Sequence, residues 1–309
     1  MSSENKILKG EWEARDLKGT SFFREEMKGA SLLRSRLDEC LFEDLDLSRG
    51  AFSQASAIQA KFSAINLSKS IFHNTLIDNS TFSTCNLDRA DFRSVRAPGV
   101  EVSGSTMHNV CIMGSDFSKS TFKLVGAKGI KITLSAFPLT RFENIDFSEA
   151  VLNSVNFSLA HFENTWFFKA NLTWIEFVEI LAINSVFVAS QITNTQFTGA
   201  DLRGSNFDGA VIKGVAFTDA DLRSVNFNNI SIQEAFIGLS IDFSGADLTG
   251  ASFNGVDIST LGLTEEQLAS LSTTGMPTTE SWLTPEEEVK FLVPADLKAL
   301  FNSDRTLKS

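Results

Sequence analysis

The three histidines are the side chains of this sequence that most readily bind metals or transfer protons near neutral pH. His73, His108 and His161 are far apart in the chain. None has a sequence-near partner of the kind that a zinc site or a Ser/His/Asp triad requires. The sequence also has no glycine loop that could cradle a phosphate. It therefore predicts no catalytic residue, no metal ligand and no cofactor-binding residue, and we expect no cofactor and no enzymatic activity.

The three cysteines indicate a reducing compartment. Cys40, Cys85 and Cys111 are irregularly spaced, which matches neither a disulfide framework nor a zinc pattern. The start of the chain has no apolar run of signal-peptide length, and no stretch is long enough to span a bilayer. We therefore expect a cytoplasmic protein without a membrane partner, and leaderless secretion stays open.

The elements that would position these side chains follow a repeat of five residues. From Trp12 to Ile237 every fifth residue is apolar, at 46 positions. The residue two before each of them is usually small or β-branched. A period of five matches neither an α-helix, at 3.6, nor a strand, at 2, and it predicts a square coil with one side per five residues. After Ile237 the phase moves by one residue, and we expect a one-residue bulge near Gly238 to absorb the shift.

The repeat resembles that of the pentapeptide-repeat family, whose pattern is approximately A-D/N-L/F-x-x. The segments GADLRGSNFDGA (199–210), DADLRSVNF (219–227) and FSGADLTGASFNG (243–255) are close matches. The resemblance covers residues 12–258 and implies an all-β solenoid, a right-handed quadrilateral β-helix with 20 residues per coil. In such a coil the central residue of each pentad and the residue two before it point inward, and the other three point outward.

Four columns of central residues, each at a spacing of twenty, support this implication within the sequence. Phenylalanine fills the columns of Phe22 and Phe52 first, and the columns of Phe117 and Phe147 later. The changeover lies between about Phe92 and Phe147. Because a narrow core needs a constant volume per layer, large residues in two columns require smaller ones in the other two. We expect about twelve coils.

The resemblance also implies a structural, outward role for aspartates that precede a central leucine or phenylalanine. A regular solenoid offers no cleft in which paired carboxylates could acquire different pKa values. These residues are Asp91, Asp116, Asp146, Asp201, Asp221 and Asp247.

The pattern divides the chain into three segments: a tail at 1–11, the β-helix at 12–259 and a small α-helical C-terminal cap at 260–309. A cap of this kind would cover the strand edges that the last coil exposes. In several family members terminal helices also form a two-fold dimer, so the resemblance leaves a homodimer through the C-terminal helices open.

Two capping boxes mark the helices of the predicted cap. Thr264 with Gln267 and Thr284 with Glu287 have the spacing at which a threonine and a Gln or Glu cap each other's backbone N–H groups. We therefore expect one helix to begin after Thr264 and a second after Thr284.

The chain has a net charge of −11. Residues 1–110 contribute −1, residues 111–260 contribute −6 and the remainder −4. Because an acidic surface repels phosphates, we expect no nucleic-acid partner and no anionic-membrane partner. The same charge would permit mimicry of duplex DNA, although Arg141 and Arg203 lie among the acidic residues.

Seven large apolar side chains occupy outward positions in one stretch, where the repeat elsewhere has polar residues. Exposed apolar clusters on soluble proteins mark contacts, and tryptophan is a common interface anchor. We predict a contact surface for an unidentified protein partner around Trp166. Self-association, cover by the C-terminal tail and a local preference for β structure stay open. The candidate residues are Trp166, Phe168, Trp174, Val178, Leu181, Val186 and Val188.

These features predict a rigid, acidic rod that acts as a non-enzymatic protein–protein interaction scaffold. The resemblance leaves two alternatives. One is a DNA-mimicking ligand of a type II topoisomerase, as the quinolone-resistance members of the family are understood to be. The other is a bacterial secretion-system effector or accessory protein.

Overall fold

A computed structural model describes residues 12–24, 27–233 and 241–272. The chain forms a β-solenoid with one short helix near the C-terminus, which is the predicted fold, and it has about 11 turns where the sequence predicts about twelve. The second predicted helix, after Thr284, lies outside the described residues, as does Gly238 itself.

Each coil has four sides, which we number by their central residues. Face 1 is centred on Phe22, face 2 on Met27, face 3 on Leu32 and face 4 on Leu37, together with the residues that follow each of them at intervals of twenty. Two eight-stranded parallel sheets form, one on face 1 and one on face 3. Neighbouring strands pair in register twenty residues apart, as Phe22 does with Phe42.

The strands are short, and six of them continue around a corner onto the next face. Face 1 carries β1 (Ser21–Phe23), β2 (Leu41–Glu43), β3 (Lys61–Ser63), β4 (Thr81–Ser83), β6 (Glu101–Ser103), β8 (Thr121–Gly126), β10 (Arg141–Asp146) and β12 (His161–Trp166). Face 3 carries β5 (Asp91–Arg93), β7 (Cys111–Met113), β9 (Lys131–Ala136), β11 (Val151–Asn156), β13 (Asn171–Glu176), β14 (Gln191–Thr193), β15 (Val211–Lys213) and β16 (Ser231–Gln233). The 3₁₀ turn Ile258–Thr260 and the helix α1 (Glu265–Ser270) follow the strands.

Backbone hydrogen bonds parallel to the long axis join successive coils. The N–H of Phe167 donates to the carbonyl of Val186 at 2.7 Å, and the N–H of Val186 donates to the carbonyl of Thr165 at 3.1 Å. The residue two after each centre, which we call the corner position, has a left-handed φ through most of the rod, with values between 48° and 76°. This conformation suits glycine and asparagine and is costly for bulky side chains.

The core consists of stacked phenyl rings. Phe42 and Phe62 are parallel within 1°, with ring centroids 4.9 Å apart, and Phe187 and Phe207 are 4.6 Å apart. Rings on adjacent faces meet edge to face, as do Phe207 and Phe217 at 86°. Both geometries are favourable for aromatic pairs, and the phenylalanine ladders predicted from the sequence are present.

The phase shift near residue 237 is larger than the sequence predicts. Ala216 pairs with Asp242 and Asp221 pairs with Asp247, so the register advances by 26 residues there instead of 20. The coil contains six additional residues, and the prediction of a one-residue bulge is wrong. In a period of five, insertions of six residues and of one residue give the same phase.

Helix α1 covers the end of the described solenoid. The N–H of Gln267 donates to the Thr264 hydroxyl at 3.1 Å, and the N–H of Thr264 donates to the Gln267 side chain at 3.0 Å, so the first predicted capping box is present. The Nε2 of Gln267 also donates to the carbonyls of Phe243 at 2.9 Å and Ala246 at 3.1 Å. The helix thus satisfies acceptors that the last coil would otherwise expose.

Candidate binding surface

Two of the histidines contact charged neighbours, and Cys85 is fully buried. The Nε2 of His73 lies 3.1 Å from an oxygen of Asp91, and the Nδ1 of His161 lies 3.2 Å from the guanidinium of Arg141. Burial raises the pKa of the Cys85 thiol to about 12. Across residues 12–24, 27–233 and 241–272, no three His, Cys, Asp or Glu side chains are grouped as a metal site would require.

Five of the six aspartates cap the turns of their own pentads, and Asp91 instead contacts His73 and Arg93. Asp146 is buried, contrary to the outward position expected for it. Asp116 accepts a hydrogen bond from the N–H of Ser118 at 2.9 Å, and Asp146 accepts one from the N–H of Ser148 at 2.8 Å. This is the Asx-turn geometry that favours aspartate and asparagine at such positions. A structural role accounts for these carboxylates.

On face 1 the later aspartates alternate with arginines. Arg203 lies 2.6 Å from Asp201 and 3.5 Å from Asp221, and Arg223 lies 2.6 Å from Asp221 and 3.6 Å from Asp247. The hydrogen bond from Arg223 is the main reason why the pKa of Asp221 is below its usual range. This part of face 1 is therefore not a continuous stripe of negative charge.

The structure divides the seven predicted contact residues among all four faces. Four of them form one group on face 2, and the other three lie elsewhere: one at a face 3 corner, one on face 4 and one on face 1. The face 2 group consists of Trp166, Phe168, Val186 and Val188. Trp174 is at the face 3 corner, Val178 is on face 4 and Leu181 is on face 1. The residues do not form a single patch.

The face 2 group is partly self-covered. Trp166 and Phe168 are half-buried, and Val186 is buried at the register position between Trp166 and Asn206. The expectation that Val186 faces water is therefore wrong, because the neighbouring coils cover it. The Nζ of Lys169 lies 4.8 Å from the centre of the Phe168 ring, a cation–π contact that uses part of the remaining surface.

A groove follows the corner between faces 3 and 4. It has a volume of about 800 Å³ and extends from Ser94 to Asn194. One rim consists of the corner positions of six successive coils and includes Leu134 and Trp174, and the opposite wall includes Glu176. Binding clefts commonly have volumes of about 300–1,000 Å³, and the groove lies within this range.

Among the residues that the structure describes, large apolar side chains at corner positions occur in only one part of the rod. Of the 34 described non-glycine residues with positive φ, five have large apolar side chains, and all five lie within residues 124–174. Four of them are at least half exposed: Leu134 at 65%, Trp174 at 56%, Leu139 at 52% and Leu159 at 50%. We call these four the apolar belt. The fifth, Leu124, is half-buried.

The apolar belt lies along both edges of face 4, which is opposite the face that carries Trp166. Leu134 and Trp174 lie at the groove, and Leu139 and Leu159 lie at the far edge of face 4. Sequence reasoning identified Trp174 and missed the three leucines. The signal was present, since this slot holds glycine or a polar residue in most other pentads.

Two pentapeptide-repeat family models match the chain. The model described as a pentapeptide repeat region matches residues 160–237, and the model of eight-copy pentapeptide repeats matches 85–123, 140–177 and 240–260. Together they cover more than half of the sequence. This chain belongs to the pentapeptide-repeat family. The pattern noted at 199–210 and 219–227 falls inside the first match.

Several solved structures of family members are similar to this chain. HetL, described as involved in heterocyst differentiation regulation in the cyanobacterium Nostoc sp. strain PCC 7120, is 15% identical, with 66% of this chain and 91% of HetL covered and a TM-score of 0.24. QnrB1, a plasmid-mediated fluoroquinolone resistance protein, is 16% identical, with 64% and 93% covered and a TM-score of 0.27. Similarity at this level carries no argument about function. No curated protein matches the sequence.

Within the described part of the chain, no helix has the length and apolar character needed to cross a membrane.

Proposed function

We propose that this repeat scaffold is a non-enzymatic, protein-binding rod whose contact surface is the apolar belt and the adjoining groove. The observation that carries the proposal is that, across residues 12–24, 27–233 and 241–272, large apolar corner residues are confined to residues 124–174. The left-handed conformation penalises such side chains by about 1 kcal/mol each. Because the side chains are exposed to water, little burial energy offsets this cost. Contact with an apolar partner surface would account for them.

The groove makes part of this surface concave. Leu134 and Trp174 are at one rim, two coils apart, and Glu176 provides a charged group on the opposite wall. A buried aromatic anchor surrounded by polar groups is typical of protein interfaces. The proposal therefore moves the predicted contact from Trp166 to the opposite side of the rod, and retains Trp174 and Val178 as contact residues.

Affinity purification from the cells that express the protein, with three forms as bait, tests the proposal. The belt variant is Leu134→Asn with Trp174→Asn, and the control variant is Trp166→Asn with Val186→Asn. Asparagine occupies the corresponding positions of other coils, as at Asn194 for the belt positions and Asn206 for the control positions, so both variants are compatible with the fold.

We expect the belt variant to lose proteins that the wild type and the control variant both retain. Circular dichroism should show an unchanged β-solenoid in all three. Retention of every wild-type partner by the belt variant would refute the proposed surface. Loss confined to the control variant would instead support the surface around Trp166.

Mimicry of duplex DNA requires a continuous negative stripe. The alternation of Asp201, Arg203, Asp221 and Arg223 does not provide one on face 1, so no second function is proposed. A gyrase supercoiling assay with the wild-type protein tests this alternative directly, and we expect no protection.

A further inference from the structure

A row of basic side chains follows face 2 in the N-terminal half of the rod. Arg49, Lys69 and Arg89 occupy the corner positions of three successive coils, with φ values of 60°, 61° and 60°. All three are exposed. Lys28 lies one coil before them and His108 one coil after them, each one residue before the corner position, which Gly29 and Asn109 occupy in those coils. We call these five residues the basic row.

The basic row borders a hollow of about 380 Å³. Its lining includes short polar residues from the middle of face 2 that are buried against the coil, among them Asn66 and Asn86. Their side-chain oxygens accept the N–H groups of Ser68 at 3.1 Å and Asp88 at 3.0 Å. The floor is thus fixed by Asx turns, and the long basic side chains rise beside it.

The charge of the hollow is opposite to that of the whole protein. Its lining contains Lys28, Arg49, Lys69 and Arg89 against one carboxylate, Asp88, a local balance of +3 on a chain of −11. The fifteen ion pairs among the described residues include none of these four cations. Successive coils are about 4.8 Å apart, so like charges are stacked closely and an anion would relieve their repulsion.

We propose that the basic row binds an extended acidic peptide segment of a partner protein, parallel to the rod axis. The row from Lys28 to His108 spans four coil steps, or about 19 Å at about 4.8 Å per step. An extended peptide of about six residues has the same length. Every second side chain of such a peptide faces the same way, at intervals of about 6.7 Å, so three carboxylates extend over about 13 Å and fit within the length of the row.

Two observations favour a peptide over a nucleic acid. The lining contains no Phe or Trp on which bases could stack, and single-stranded nucleic acids are normally held by such stacking. The remainder of the surface is acidic, which opposes the long phosphate contacts of a duplex. The basic row is on face 2 and lies outside the apolar belt, so this site is independent of the function proposed above.

Fluorescence anisotropy with labelled octaglutamate as the probe tests the proposal at an ionic strength of about 0.1 M, where charges more than about 10 Å apart are largely screened. The row variant is Arg49→Gln with Lys69→Gln and Arg89→Gln. The control variant is Lys61→Gln with Lys119→Gln and Lys131→Gln, which removes the same charge from exposed lysines on faces 1, 4 and 3. Both variants have the same net charge, so they separate local binding from general attraction.

We expect the row variant to bind the probe about tenfold more weakly than the wild type, since three surface charge contacts of ordinary strength give about this change. The control variant should stay within about twofold of the wild type, since its charges lie away from the hollow. Equal weakening of both variants would overturn the proposal. Tighter binding of an oligothymidylate of equal charge than of octaglutamate would also overturn it, in favour of a nucleic-acid site.

Discussion

The side chain of Asn184 lies over the backbone of Gly204, which occupies the equivalent corner in the next coil. A Cβ atom added to Gly204 would collide with the Oδ1 of Asn184. The same relationship joins four other pairs along the rod: Asn79 with Gly99, Asn109 with Gly129, Asp219 with Gly245 and Asn229 with Gly255. A short polar side chain at one corner therefore favours glycine at the corner above it.

This relationship predicts an unequal cost for two glycine substitutions. Gly204→Ala should lower the free energy of unfolding by about 2 kcal/mol or more, because the left-handed conformation and the clash with Asn184 both oppose it. Gly209→Ala should cost about 1 kcal/mol, because its φ is similar and no atom lies within 4 Å of the added Cβ. Urea denaturation measures both. Equal losses would show that Asn184 moves aside freely.

Most of the fold could be predicted because the repeat has a strict period. The inward phase, the phenylalanine ladders and the capping box at Thr264 all follow from spacing and residue type. The six-residue insertion between Ile232 and Phe243 could not be predicted. In a repeat of five, six additional residues shift the apolar positions by only one residue, so the sequence shows the same shift as a one-residue insertion. The number of additional residues depends on which residues pair across coils, as Ala216 does with Asp242.

The changeover between the phenylalanine ladders leaves one coil incompletely filled. A cavity of about 10 Å³ lies beside Ala127, between Met107 and Phe147 of the same column. Ala127→Val should raise the free energy of unfolding by about 0.5 kcal/mol, because the added methyl groups occupy this space. Ala57→Val is the control. Ala57 is fully buried outside that cavity, so overpacking there should cost about 1–3 kcal/mol. Similar losses at both positions would contradict the prediction.

The ion pairs on face 1 predict acid sensitivity of the C-terminal coils. The hydrogen bond from Arg223 lowers the pKa of Asp221 in the folded protein, whereas an unfolded aspartate has a pKa of about 3.9. The stability that Asp221 contributes is therefore present above about pH 4 and is lost as the pH falls through the lower, folded-state pKa. Asp221→Asn should be less stable than the wild type at neutral pH, and the difference should shrink on acidification. Thermal denaturation across this range measures it, and a constant difference would contradict the assignment.

The candidate surface was less predictable than the fold, for two physical reasons. The sequence shows that Trp166 and Val186 are apolar at outward slots, but not that adjacent coils cover Val186. It also does not show that the corner position is left-handed, and without that fact the preference of this slot for glycine and polar residues gives no reason why Leu134 and Leu159 are costly there. Trp174 was identified because tryptophan is conspicuous at any outward slot.

If the apolar belt serves binding, we expect its residues to lower the free energy of unfolding of the protein. Leu134 has a φ of 50° and is 65% exposed, so its side chain gains little from burial while its backbone is strained. Leu134→Asn should raise the free energy of unfolding by about 0.5 kcal/mol, because asparagine tolerates this conformation better. Ile132→Ala, at the buried centre of the same pentad, should lower it by about 2–5 kcal/mol. If Leu134→Asn instead destabilises the protein by more than about 1 kcal/mol, Leu134 has a structural role. Packing would then explain the apolar belt without a partner.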